Sequence, residues 1–127
     1  MKGMILTLIP ERMSICRTGP REPLPDWLPE SGLWSLTRTT EELSLVISET
    51  LAPQGWQVEG GWRCLKVEGP LDFSLTGILS ALTAPLAAAG IAVFAISTYD
   101  TDYLLVKQKD LEQTLIVLAQ QDFNIKP

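Results

Sequence analysis

The order of strand and helix patterns in the second half of the chain limits its possible folds more than any other feature. Apolar and polar residues alternate over Trp62–Glu68, as they do in a half-buried strand, and Gly69-Pro70 ends the run. Ile91–Ile96 is continuously apolar and suits a central strand, and Tyr103–Val106 suits an antiparallel neighbour across a polar turn. Asp122–Lys126 offers a last short strand. These four patterns predict a small sheet.

A first helix is predicted between the first two of these strands. Apolar residues recur there at steps of three and four, which places them on one helix face that we expect in the core: Leu75, Ile78, Leu79, Leu82, Leu86 and Ala89. We expect Asp72 or Ser74 to be the N-cap of this helix, and Gly90 to take the left-handed conformation after its last turn. Pro85 lies inside the pattern and should remove one backbone hydrogen bond.

A second helix is predicted between the last two strands. Asp110 followed by Gln113 three residues later forms a capping-box pattern. The apolar stripe of this helix consists of Leu111, Leu115, Leu118 and Ala119. The resulting order β-α-β-β-α-β predicts an α+β, ferredoxin-like module with both helices on one face of the sheet.

Residues 1–60 are less regular than the rest of the chain. Six of the nine prolines lie there, four of them between Gly19 and Gly32, which we expect to form a loop. Short strands are predicted at Ile5–Ile9, Met13–Cys16, Leu33–Thr37 and Leu43–Ser48. We therefore expect two domains that divide near Gly60-Gly61: an irregular, strand-rich N-terminal module at 1–60, with short or missing helices, and a complete module at 61–127.

Charge and residue types argue against several classes of function. The 127 residues carry 10 Lys and Arg against 15 Asp and Glu, a net charge of −5, and no basic run, so no nucleic acid partner is expected. The chain has no histidine, which removes histidine-based general bases, activated nucleophiles and metal ligands. It also has no glycine-rich phosphate loop. We expect no catalytic residues, no metal site and no cofactor.

The cysteines and the apolar segments bear on the compartment. Cys16 and Cys64 are too far apart for a CxxC motif, and both fit buried, reduced thiols, with a disulfide as the alternative. Met4–Ile9 is too short for a signal peptide. Ser74–Ser97 is interrupted by Pro85 and Gly90 and makes a poor membrane span. The sequence thus predicts a cytoplasmic protein without a membrane partner.

Three segments resemble a known family. Phe94–Val106, which contains the run STYDTD, and the preceding Leu82–Ala87 resemble the ACT modules of the CASTOR-type arginine sensors and of their bacterial relatives. Leu33–Val46 resembles a hairpin of the first ACT module in the same family. More distantly, the chain is similar to the regulatory domains of aspartate kinases. The resemblance covers residues 33–49 and 61–126 well and 4–16 weakly.

The resemblance implies a tandem pair of ACT modules. Such modules are regulatory βαββαβ units that bind amino acids, usually at an interface between two modules. The chain departs from the animal arginine sensors in having one pair of modules, whereas those sensors have two pairs and place the ligand between them. A homodimer would restore the missing surface.

Candidate ligand-binding residues follow from the needs of a zwitterion. A carboxylate requires hydrogen-bond donors. Free backbone amides in the turn before the first helix can provide them, and this turn consists of Leu71, Asp72, Phe73 and Ser74. An ammonium or guanidinium group requires an acceptor, and Asp102 matches the family's aspartate after the Ser-Thr-aromatic segment. The alternatives are that Asp72 or Ser74 only caps the helix, and that Asp102 is a solvated turn residue.

Three more residues lie in the polar turn that precedes Asp102. Thr98 can offer a hydroxyl and Tyr99 an aromatic wall, with packing at the strand end as the alternative for both, and Asp100 is expected to be solvated. If Asp72, Asp100 and Asp102 converge, their charge favours a cationic ligand such as arginine or lysine.

We weigh three functions. The first is a non-enzymatic regulatory module that binds a small amino acid at an inter-module or subunit interface of a homodimer, with a cationic amino acid favoured if the three aspartates converge. The second is a ligand-independent interaction module that dimerises or docks onto a metabolic enzyme through an open sheet edge. The third, an enzyme that uses an acidic pair for acid–base chemistry, has no motif in its favour.

Overall fold

The computed structural model describes residues 3–72 and 74–127, which form eight strands and two α-helices. The strands are β1 (Ile5–Leu8), β2 (Met13–Thr18), β3 (Ser35–Arg38), β4 (Leu43–Ser48), β5 (Gln57–Val67), β6 (Phe94–Ser97), β7 (Asp102–Lys107) and β8 (Asn124–Lys126). The helices are α1 (Ile78–Ala88) and α2 (Leu111–Gln120). None of the described helices is long and apolar enough to span a membrane.

The chain forms two compact units, and the larger one combines the two ends of the sequence. It consists of the N-terminal segment up to Pro10 together with Trp62–Pro127. Its strands follow the order β6-β7-β5-β1-β8, antiparallel except for the parallel pair of β1 and β8. The expected order strand, helix, two strands, helix, strand is confirmed from β5 to β8. The strand β1, which we expected in the first module, lies between β5 and β8.

Both helices cover one face of this sheet. Alternate residues of the strands point toward them, and they share one core cluster with the buried helix residues: Leu6, Leu65, Val67, Ile78, Leu82, Leu86, Leu104, Val106, Leu111 and Leu118. The prediction of helices on one face is therefore confirmed. The fold is α+β and ferredoxin-like, with one added strand.

Helix α1 begins later than its apolar pattern. We expected Asp72 or Ser74 as the N-cap, but the helix starts at Ile78, and Gly77 is the N-cap with a left-handed φ of 79°. That conformation is costly for any residue with a side chain, and it breaks the helix at this point. At the other end, Gly90 has the expected left-handed φ of 76°, and Pro85 lies inside the helix as expected.

Three residues of the apolar face predicted for α1 are exposed to solvent. Leu75 precedes the helix and is 52% exposed, Leu79 is 36% exposed, and Ala89 is also exposed. The buried side chains of α1 are Ile78, Leu82 and Leu86. The prediction that the whole apolar face is core was wrong for the other three positions.

Three further local predictions were wrong. Asp110 is the N-cap of α2 by position, but its side chain makes no cap hydrogen bond because a turn of 3-10 helix (Gln108–Asp110) leads directly into the helix. Ala119 is exposed, and Thr114 takes a buried place on the inner face. Strand β6 is an edge strand that pairs with β7 alone among the described strands, so the apolar run Ile91–Ile96 does not form a central strand.

The smaller unit, Glu11–Gly61, consists of short strands and loops. Its strands follow the order β3-β4-β2, all antiparallel, and its core centres on Cys16, Leu45 and Ile47. Within these residues, all of which the structure describes, the single helical element is a 3-10 turn at Glu49–Leu51. Cys16 and Cys64 are both buried free thiols, so the disulfide alternative is wrong.

Candidate functional site

A pocket of about 390 Å³ lies in the larger unit, between the start of α1 and the β6–β7 hairpin. One wall is the loop from β5 into α1, which contributes Leu71, Asp72, Leu75, Gly77, Ile78 and Leu79. The other wall is the hairpin, which contributes every residue of 97–102. The two segments that the sequence proposed for the ligand's two charged ends therefore form opposite walls of one pocket.

Local hydrogen bonds shape the hairpin wall. Ser97 and Asp102 are the last pair in the β6–β7 register, and four residues connect them. The amide of Thr98 donates to the carbonyl oxygen of Thr101 at 2.8 Å, and the amide of Thr101 lies 3.3 Å from the Thr98 hydroxyl. The turn is thereby closed on itself, and Tyr99 is left at its tip, 80% exposed.

Asp102 is held by its cross-strand neighbour. The Ser97 hydroxyl donates to Asp102 Oδ1 at 2.5 Å. A carboxylate fixed at one oxygen presents the second in a defined direction, which suits recognition of an ammonium or guanidinium group.

The loop wall contains a second ordered carboxylate. Asp72 Oδ1 accepts hydrogen bonds from the Ser74 amide and the Ser74 hydroxyl, both at 2.8 Å. These bonds favour the charged form and lower the pKa of Asp72. Asp72 thus closes a local turn with Ser74 and does not cap the helix, which begins four residues after Ser74.

The start of α1 supplies donors to the same pocket. Its first intrahelical hydrogen bond in the sequence runs from the Ala81 amide to the Gly77 carbonyl at 2.8 Å. The amides of Ile78 and Leu79, two pocket residues, precede that bond and have no partner within the helix. Free amides and the positive end of the helix dipole favour a carboxylate at this position.

The pocket lining is negatively charged. Three carboxylates line it, those of Asp72, Asp100 and Asp102, and no Lys or Arg belongs to its described lining. Leucine side chains supply most of the apolar lining. Such a pocket can hold a cation near the carboxylates and an aliphatic chain against the leucines.

The structure brings together most of the residues proposed from the sequence. Leu71, Asp72, Thr98, Tyr99 and Asp102 all line the pocket. Ser74 is not among the described lining residues and acts on Asp72 instead. Phe73 lies outside the described residues.

Sequence reasoning missed six lining residues: Leu75, Gly77, Ile78, Leu79, Ser97 and Thr101. For the first four, a signal was present in Gly77, because a glycine at the beginning of a helical pattern is itself a common N-cap. Ser97 and Thr101 could be found only from the register of the hairpin.

Comparison with known proteins places these features in context. A sequence model of the ACT domain matches residues 57–120, and a model of a separate N-terminal domain matches residues 11–55. The cytosolic arginine sensor for mTORC1 subunit 1 of Bos taurus is 34% identical over an alignment 99 positions long that covers 69% of this chain and 30% of that protein. The chain thus spans about a third of the length of these curated relatives.

Two solved structures show the same fold. A protein from Agobacterium tumefaciens is 37% identical with a TM-score of 0.89, over 97% of this chain and 92% of that one. The ligand-free regulatory subunit of aspartate kinase from Thermus thermophilus is 8% identical with a TM-score of 0.62, over 91% of this chain and 95% of that one. At that identity the second likeness concerns the fold alone.

Proposed function

This chain belongs to the ACT domain family, and we propose that it is a non-enzymatic regulatory protein that binds a small amino acid in the pocket between α1 and the β6–β7 hairpin. The observation that carries the proposal is the pairing of two walls with opposite preferences. Free amides at the start of α1 suit a carboxylate, and Asp102 suits a cation. A zwitterion requires both.

The acidic lining favours a cationic amino acid. In the proposed complex, the α-carboxylate lies at the Ile78 and Leu79 amides, and the aliphatic stem packs against Leu71 and Leu75. The side-chain ammonium or guanidinium group pairs with Asp102. The printed name of the bovine relative describes that protein as an arginine sensor, which supports arginine as the first ligand to test.

A homodimer would complete the site. Leu75 is 52% exposed and Tyr99 is 80% exposed at the pocket. Large apolar side chains beside an open pocket are suited to burial against another surface. We propose that a second copy of the chain covers them, and that the protein acts in the cytoplasm, as the relative's name states for that sensor.

The residues of the chain give little support to catalysis. No histidine is present, and burial raises the pKa of the Cys64 thiol to about 12, so this thiol is not an activated nucleophile. Among the described residues, no cluster of Cys, Asp and Glu is arranged to hold a metal ion. These features fit a protein that senses a metabolite without converting it.

Calorimetry with the twenty amino acids tests the proposal. We expect arginine or lysine to bind with a dissociation constant in the millimolar range or tighter, and Asp102→Asn to weaken that binding by about tenfold or more, since it removes one charged hydrogen bond. Asp26→Asn, which removes the same charge from an exposed position in the smaller unit, is the matched control and should bind like the wild type. Absence of binding by every amino acid would reject the proposal.

The second candidate is a ligand-independent interaction module. It is favoured by β6, an edge strand with unpaired backbone groups on one side. A second copy or a metabolic enzyme could pair with this edge. Light scattering separates the two functions, because a dimer that is unchanged by amino acids and shows no binding heat supports the interaction module.

A further inference from the structure

Thr101 is a buried residue in a hairpin tip that is otherwise exposed. Thr98, Tyr99 and Asp100 are all exposed, whereas Thr101 is 4% exposed. Its hydroxyl donates to the carbonyl oxygen of Val67, the last residue of β5, at 2.6 Å. The bond joins residues 34 positions apart, and it attaches the hairpin wall of the pocket to the strand that leads into the loop wall.

Two more contacts lie beside this hydrogen bond. The Leu71 amide donates to the carbonyl oxygen of Asp100 at 2.7 Å. A Cβ added to Gly69 would lie 3.0 Å from the same Asp100 oxygen and 3.3 Å from the Cβ of Thr101. A side chain at position 69 would crowd both segments, so a glycine suits this close approach. We call these three contacts the Thr101 clasp.

The Thr101 clasp lies between the charged groups of the pocket. Asp100 and Asp102 flank Thr101 on the hairpin, and Asp72 follows Leu71 on the loop. The distance between the carboxylates of the two walls therefore depends on how closely residues 67–71 and 100–101 are joined. A buried hydrogen bond is well suited to this task, because leaving either partner unsatisfied is costly.

We propose that Thr101 is a positioning residue, which locks the two walls of the pocket together and so sets the spacing at which a ligand's charged groups are bound. The part of this inference that concerns affinity rests on the proposed function. The part that concerns the two walls can be tested in the ligand-free protein.

The test compares three variants. Thr101→Val keeps the shape of the side chain and removes the hydroxyl, whereas Thr101→Ser keeps the hydroxyl. Thr114→Val is the matched control, because Thr114 is fully buried in α2 and donates to the Asp110 carbonyl at 2.7 Å. It removes the hydroxyl hydrogen bond of a comparably buried threonine in the same unit, outside the pocket lining.

Two measurements are made on each variant: the affinity for arginine by calorimetry, and hydrogen exchange of the Leu71 amide in the absence of ligand. We expect Thr101→Val to weaken arginine binding by about tenfold or more and to accelerate exchange at Leu71 relative to Thr114→Val. We expect Thr101→Ser to restore both values to near those of the wild type. If Thr101→Val does not fold, Gly69→Ala, which separates the walls and keeps the hydroxyl, replaces it with the same expected result.

The outcomes are distinguishable. Equal Leu71 exchange in Thr101→Val and Thr114→Val would overturn the inference, because Thr101 would then contribute stability alone. Faster exchange with unchanged arginine affinity would also overturn it, since the walls would be loosened without effect on the ligand. If the wild type binds no amino acid, the proposed function fails, and hydrogen exchange still decides whether the Thr101 clasp joins the walls.

Discussion

At the scale of single residues, the pocket depends on pairs in which one side chain orients another. Ser97 holds one oxygen of the Asp102 carboxylate, and Ser74 holds one oxygen of Asp72. In each pair, the hydrogen bond restricts the orientation of a carboxylate that lines the pocket. Such preorganisation lowers the entropy lost when a ligand binds, which favours affinity for a small molecule with few atoms.

The two thiols provide a test of burial at this scale. Burial raises the pKa of Cys64 to about 12, and it also raises the pKa of Cys16, where the neighbouring Ser14 hydroxyl partly opposes the effect. Because the thiolate is the reactive form, we expect neither thiol of the folded protein to react with a disulfide reagent at neutral pH. Both should react once the protein is unfolded in denaturant. Rapid reaction of a thiol in the folded protein would contradict the buried positions.

At the scale of elements, the sequence predicted where strands lie better than where helix α1 begins. The bounds of β4 were predicted at Leu43–Ser48 and are found there, because a short apolar run bounded by polar residues is a local signal. The start of α1 was predicted too early, because Leu75 and Leu79 follow the helical period but line a pocket. Periodicity identifies a face of a helix, but it cannot tell a core from a pocket.

The place of β1 shows a second limit of sequence analysis. The strand itself was predicted at Ile5–Ile9 and is found at Ile5–Leu8. Its partners, β5 and β8, are far away in the sequence, and no local pattern specifies such pairing. The residues of the candidate site were predicted more fully, since five of the seven named line the pocket, with the family resemblance as the guide to Asp102.

The insertion of β1 predicts a large effect for a residue near the N-terminus. Leu6 is 1% exposed and belongs to the core of the larger unit. We expect Leu6→Ala to lower the free energy of unfolding by about 2–5 kcal/mol, as truncation of a buried leucine does. Ile116→Ala is the control, because Ile116 is 50% exposed on α2, and it should change stability by less than about 1 kcal/mol. Equal effects of the two variants in chemical denaturation would contradict the position of β1.

At the scale of the whole molecule, the described lining residues of the candidate pocket all belong to the larger unit. The unit is the ferredoxin-like module with β1 added, and all pocket residues lie in 71–102. The smaller unit has a separate core. The fold is shared with the regulatory subunit of an aspartate kinase, but a shared fold does not establish a function, so the proposed ligand rests on the charges of the pocket lining.

The most direct test of this account is a titration of the isotope-labelled protein with arginine, followed by amide chemical shifts. We predict that the largest changes occur at residues 71–79 and 97–102, in both walls of the pocket, and that they saturate with the affinity measured by calorimetry. Changes confined to one wall, or centred on the smaller unit, would contradict the claim that an amino acid is bound between α1 and the β6–β7 hairpin.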